Sequence, residues 1–227
     1  MKSNEKRHEA RAAGLDALDA ITEVGVWDYA AARKCIADTA LAEWRMGVAE
    51  PGSSPIANPK RIDEYIRGPL GLAWSWLEPY TKDEQFAWCG AKAGFCAGSA
   101  GVKHAIRFKY MASTFRMGKH LLPTRGVALD AIEPGDILVV TNGSKSYGEH
   151  ICVAVEKPVN GLVVTVEGNA RGILGNGRVG NGVIRRTRPL APMPKHRRCP
   201  MSSLKQSHWV LYAIRFAPED FDRGVEP

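Results

Sequence analysis

Past residue 135 the apolar residues of this chain change their period. Five short β-branched runs follow one another: "DILVVT" (136–141), "HICVAVE" (150–156), "LVVTVEGN" (162–169), "GVIRRTR" (182–188) and "HWVLYAIRF" (208–216). Each is bounded by Gly, Pro or Asn, the pattern of strands that end in turns. "KPVNG" between the second and third predicts a hairpin turn. The first half reads differently. Ala12, Leu15, Leu18 and Ile21 recur at helical spacing over 5–22, as do Ile36, Ala40 and Trp44 over 28–46. "KRIDEYIRG" predicts a short third helix, and residues 107–118 a further one. Thr81 and Asp83 are candidate caps for a helix running to about Ala97. Helices followed by a strand meander imply an α+β domain, its helices packed on an antiparallel sheet of about five strands.

The chain has 227 residues, 44% of them hydrophobic, which suffices for one sizeable core. No run reaches the roughly 18 apolar residues of a membrane span. The opening "MKSNEKRHEARAAG" lacks the apolar stretch of a signal peptide, so synthesis in the cytoplasm is expected, with any outside action needing separate delivery. The five cysteines, Cys35, Cys89, Cys96, Cys152 and Cys199, are odd in number and irregularly spaced, and reduced thiols are the expectation. Charge is unevenly spread. Residues 86–129 hold seven Lys or Arg and no acid, and residues 168–218 hold ten and no acid. Such segments form a solvated surface or a positive field that gathers an anionic partner.

"EQFAWCGAKAGFC" (84–96) sets Cys89 at the mouth of a helix. There, backbone N–H groups and the helix dipole stabilise a thiolate and later an oxyanion. A nucleophilic thiol needs a base, and the base an orienter. His150 opens one predicted strand, and Glu167 and Asn169 close the next. In a hairpin the start of one strand lies near the end of its neighbour, so His150 adjoins both. Two residues apart in a regular strand, Glu167 and Asn169 share a face, and the choice of orienter stays open. Other residues invite other readings. Cys152 shares the face of His150, but a Cys89–His150–Cys152 metal site lacks a fourth ligand. Cys35 and Cys96 read as core. His104, His120, His196 and His208 read as surface or structural groups. Trp74, Trp76 and Trp88 read as core, or as the floor of a cleft. The Gly-rich "NGRVGNG" lacks the strand–helix context of a phosphate loop.

These motifs, in this order, resemble the CHAP and NlpC/P60 superfamily of cysteine amidases and peptidases, in particular its phage-type branch. "ALAEWRMGVAEPGSSPIANPKRIDEYI" is similar to that branch's opening, and "AWCGAKAGFC" to its catalytic Trp-Cys helix. "EPGDILVV" resembles the turn into the first strand, "GEHICVAVE" the base strand, "VEGN" the orienter and "VLYAIRF" the closing strand. Where the family carries a bulky aromatic three residues after the cysteine, this chain has Lys92.

The resemblance spans about Ala31 to Phe216. It implies a papain-like catalytic domain over 31–217; residues 1–30, outside the resemblance, read as a helical extension, and residues 218–227 as a flexible tail. It further implies a peptidoglycan hydrolase, a phage lysin or an antibacterial effector, that cleaves a wall amide. Cys89 would be the nucleophile, His150 the base and Glu167 or Asn169 the orienter, with no cofactor and no metal. The expected partner is bacterial peptidoglycan, with anionic wall polymers, rather than nucleic acid or a membrane. Holin or particle delivery would bring the protein to the wall. Two rivals remain: a non-enzymatic basic binding module, and a cysteine peptidase with a protein substrate.

Overall fold

The computed structural model describes residues 28–50, 59–70, 88–111, 113–143, 146–191 and 208–222. The predicted helix over 5–22, the candidate caps Thr81 and Asp83, Trp74, Trp76, His196 and Cys199 lie outside them.

Each β-branched run forms a strand: β2 (Ile137–Thr141), β3 (His150–Ala154), β4 (Leu162–Ile173), β5 (Val179–Pro189) and β6 (Trp209–Ile214). The sheet has six strands rather than about five. The addition is β1 (Gly126–Val127), whose two residues pair with Ile214 and Ala213. Two residues are too few to show a period, which is why the sequence pattern did not reveal it. The order is β1-β6-β2-β3-β4-β5, and every neighbouring pair is antiparallel. The "KPVNG" turn is a tight reversal in which Asn160 and Gly161 both take positive φ, at 51° and 73°.

Alternation in the strands sorts their side chains onto two buried faces. Ile137, Val139, Ile151, Val153 and Val166 face the helices. Leu138, Val140, Cys152, Ala154 and Val163 form a second cluster on the other face, with Ile132, Val210 and Ala213. Burying each such aliphatic side chain contributes about 1.5–3 kcal/mol, so the sheet is held from both sides.

The helical layer comprises α1 (Tyr29–Arg45), α2 (Pro59–Leu70), α3 (Cys89–Ser99) and α4 (His104–Tyr110), followed by short turns between Thr114 and Arg125. Asp28 caps α1 by accepting from the backbone N–H groups of Ala30 and Ala31. Buried Glu43 of α1 accepts from Arg61 and from the Tyr65 hydroxyl, which fixes α2 against α1. Asp136, fully buried before β2, accepts from Arg33 of α1 and from Arg215 just after β6. Helix layer and sheet are thereby tied at a common carboxylate.

The expected flexible tail is not one at its start. Pro218–Asp220 form a helical turn, Phe221 is 1% exposed, and Asp220 accepts from Arg125. Phe221 bridges Val102 and meets Phe216 edge-on. The physical reason is an aromatic anchor that the charge-rich ending concealed.

α3 is the central helix, packed on α1, α2, β3 and β4. Gly90 costs helix propensity but has a steric purpose. A Cβ there would sit 2.0 Å from the Met111 carbonyl oxygen and 3.3 Å from Ile151 Cδ1. Gly90→Ala should therefore destabilise the fold by about 2 kcal/mol, although alanine is the better helix former. Thermal unfolding should show a fall of several degrees. An unchanged or raised midpoint would mean that the Met111 segment yields without cost.

Candidate active site

Cys89 is the first residue of α3. Trp88 precedes it as N-cap without a capping hydrogen bond from its side chain. Trp88 is 3% exposed, stacks on Tyr65 with centroids 5.8 Å apart, and donates Nε1–H to Glu50 at 2.9 Å. It is thus core, not the floor of a cleft, and it fixes where the helix starts. The helix therefore presents its positive end at the sulfur.

The sheet supplies the partners through an irregularity. The β3–β4 ladder runs from Ala154–Thr165 to Cys152–Glu167 and stops. Beyond that pair the register of β4 shifts between Glu167 and Ala170, and Asn169 takes a left-handed φ of 53°. The first turn of α3 lies against this bulge. A Cβ on Gly168 would sit 2.6 Å from the Trp88 ring and 2.9 Å from Lys92 Cβ. His150 stands two residues past Cys152, the last paired residue of β3, where β3 and β4 have parted. It hydrogen-bonds Cys89 on one side and meets Glu167 on the other, its Nε2 lying 3.2 Å from Oε2. The imidazole thereby joins a thiol from the helix-covered face to a carboxylate from the opposite face. The Nε2 approach is off the line of a good hydrogen bond, and we read it as an ion-pair contact. With Nε2 turned to Glu167, Nδ1 is left for the thiol.

Glu167 is the residue that reaches His150. The shared face proposed for Glu167 and Asn169 requires an unbroken pleat, and the bulge interrupts it between the two.

Electrostatics follow the geometry. Burial alone would raise the Cys89 thiol, but the imidazole beside it and the N–H groups of Ile151 and Gly90 hold it below its ordinary value. Burial would lower His150, but the thiolate and Glu167 push it up to about 9. The arrangement favours the thiolate–imidazolium form of the pair. Glu167, fully buried, is held well below the usual carboxylate range by Arg188 and His150.

Arg188 and Thr165 are the site residues that sequence reasoning missed. Arg188 grips Glu167 with a fork, Nε to Oε1 and Nη2 to Oε2, both at 2.7 Å. Thr165 donates to Oε1 at 2.9 Å. A signal was present in "RRTR": period two puts Arg186 and Arg188 on one face, one step from the strand that ends in Glu167. By sequence the acid-free runs read as surface or a positive field. Two of their charges are instead interior, since Arg188 is 4% exposed and Lys92 0%. Lys92 donates to the Val166 carbonyl at 3.4 Å.

The remaining thiols differ in kind. Burial pushes Cys96 up to about 11, and burial with the Glu167 charge pushes Cys152 well above its ordinary value. Cys35 is likewise raised by burial. His104 and His120 are exposed, and His208 is half-buried near Glu149. Among the described residues no group of three or more His, Cys, Asp or Glu is arranged to hold a metal ion. Compared with known proteins, the chain matches no family model, no curated protein and no solved structure.

Glu167→Gln removes the carboxylate that raises His150 and leaves the Arg188 charge buried. The variant should be less stable by about 3 kcal/mol, and a Glu167→Gln, Arg188→Gln double variant should recover much of that loss. The imidazole should titrate lower, so the alkaline limb of thiol reactivity should move down in pH. Because the folded carboxylate titrates below its unfolded value, the stability that Glu167 contributes is full above the ordinary carboxylate range. It is lost as pH falls through the folded value. Denaturant titrations of wild type and variants from pH 7 downward check the sign. A double variant weaker than the sum of both singles would remove the pair from this role.

Proposed function

We propose that this chain is a papain-like cysteine amidase of the kind its motifs resemble, hydrolysing an amide bond of bacterial peptidoglycan. The observation that carries the chemistry is the line Cys89–His150–Glu167, with the thiol at a helix start and the imidazole between thiol and carboxylate. The substrate class comes from the CHAP-type order of motifs and is the part that experiment must decide. Among the described residues no helix is long and apolar enough to cross a membrane.

Each residue has a defined part. The Cys89 thiolate attacks the carbonyl carbon, and the oxyanion that forms lies at the positive end of α3, where the Cys89 N–H is a donor. The His150 imidazolium then gives its proton to the departing amine, the C–N bond breaks, and a thioester remains. The neutral imidazole takes a proton from water, hydroxide adds to the thioester, and the carboxylic acid leaves as the thiolate is restored. Glu167 keeps the ring oriented and stabilises its cationic form; it transfers no proton.

Purified sacculi should lose turbidity with wild-type protein and not with Cys89→Ala, whose circular dichroism should match wild type. Cys35→Ala, Cys96→Ala and Cys152→Ala should lower stability and retain hydrolysis. Mass spectrometry of the released fragments identifies the bond by its new amine and carboxyl groups. Hydrolysis retained in Cys89→Ala, or abolished in a folded Cys152→Ala, would assign the nucleophile elsewhere. Intact sacculi beside a reactive Cys89 would leave the thiol chemistry standing and refute the wall as substrate.

A further inference from the structure

Glu167 is buried against His150, Arg188 and, more distantly, Arg186, and only His150 belongs to the reacting pair. We propose that Arg188 is a positioning residue of this site: its fork fixes the Glu167 carboxylate toward His150, and its charge balances that carboxylate so that the imidazolium is held yet can release its proton. The inference rests on the amidase reading, since it assigns a task within the same site.

Three observations carry it. First, the contact is bidentate and shielded from water: two bonds of 2.7 Å between a side chain 4% exposed and one 0% exposed. A guanidinium fork sets both the position and the plane of a carboxylate, which a single bond cannot do. Second, the same oxygen, Oε2, accepts from Arg188 Nη2 and faces His150 Nε2 at 3.2 Å. The rotamer that Arg188 selects is therefore the one that meets the imidazole. Third, the charges balance along the chain of contacts: thiolate, imidazolium, carboxylate, guanidinium. Without Arg188 the full carboxylate charge would act on His150, and an imidazolium bound more tightly is a poorer acid toward a leaving amine.

The other groups around the pair do not replace it. Arg186, also on β5, stays 3.9 Å from Oε2 and donates to the Arg171 carbonyl. Lys92 of α3 donates to the Val166 carbonyl. Cys152 of β3 is held in its neutral form by burial and by Glu167. His208, before β6, feels Arg188, His150 and Glu167 and is held below its ordinary value, first by burial. Its ring lies 3.9 Å from the Glu149 carboxylate.

Charge and geometry separate in two variants of the full chain. Arg188→Gln removes both; Arg188→Lys keeps the charge and loses the fork. The first readout is the rate of Cys89 carbamidomethylation by iodoacetamide against pH, followed on the Cys89 peptide by mass spectrometry. In Arg188→Gln the acidic limb should rise by roughly half a pH unit or more, because a nearby cation has gone. Arg188→Lys should restore the limb to near its wild-type position. It should still hydrolyse sacculi at about a tenth of the wild-type rate or less, because a carboxylate held by one bond no longer fixes the ring. A purely structural arginine would change stability alone. A folded Arg188→Gln with a wild-type limb overturns the proposal. So does Arg188→Lys with full hydrolysis, and this second test stands even where Arg188→Gln does not fold. If wild-type Cys89 shows no acidic limb below the ordinary thiol range, the catalytic reading fails and this proposal falls with it. If the limb is present but sacculi stay intact, the choice of substrate has failed, and the limb shift in Arg188→Gln still decides the role of Arg188.

Discussion

The first turn of α3 rests on the β4 bulge at Gly168, and the site depends on that contact. Trp88 and Lys92 lie where any side chain on residue 168 would be, so the helix start and the parting of β3 from β4 fit one another. Were the β3–β4 ladder continuous, a β4 residue would stand opposite His150. Were the helix one turn further away, the sulfur would lose the Ile151 N–H that supports it as a thiolate. The irregular stretch of sheet thus lets a helix-borne thiol meet an imidazole that belongs to a strand. Bulges beside active sites are a recurrent way of re-aiming a side chain.

Around that contact the molecule concentrates buried charge. Glu167 with Arg188, Asp136 with Arg33 and Arg215, and Glu43 with Arg61 each place an ion pair between different elements of the fold. Such pairs add little net stability relative to apolar packing, yet breaking one is costly. Their effect is to fix orientation. Glu43 sets α2 against α1, Asp136 sets α1 against the sheet, and Glu167 sets β5 against the imidazole.

Much of this was legible in the chain, and the exceptions have physical causes. Five strands were visible because β-branched residues cluster between turn formers, and a local pattern suffices to see them. Cys89, His150 and Glu167 were legible because hairpin geometry brings the start of β3 to the end of β4. The bulge was not, since nothing in "VEGNA" states that residue 169 will take a left-handed conformation, and the shared face of Glu167 and Asn169 assumed a regular pleat. Arg188 escaped for a related reason. Its partner is fixed by the β4–β5 register, which the bulge between Glu167 and Ala170 shifts, and an arginine in an acid-free run reads locally as surface. Phe221 was hidden in the same way, an anchor among charges whose pocket is built by residues more than a hundred positions earlier.

The outer rim of β5 has a consequence for how the molecule tolerates crowding by its own copies. An eleven-residue edge strand offers a neighbour a long row of unpaired amides, the template on which foreign strands assemble. Here the segment after α1 takes up the middle of that row. Val183 N–H donates to the Val48 carbonyl, Glu50 N–H donates to the Asn181 carbonyl, and Ala49 lies fully buried against Gly182. A strand arriving from a second copy would find the rim interrupted at its centre, with too few consecutive partners on either side to hold it. Residues 48–50 belong to no named strand, yet they deny the β5 edge to a foreign strand at its centre.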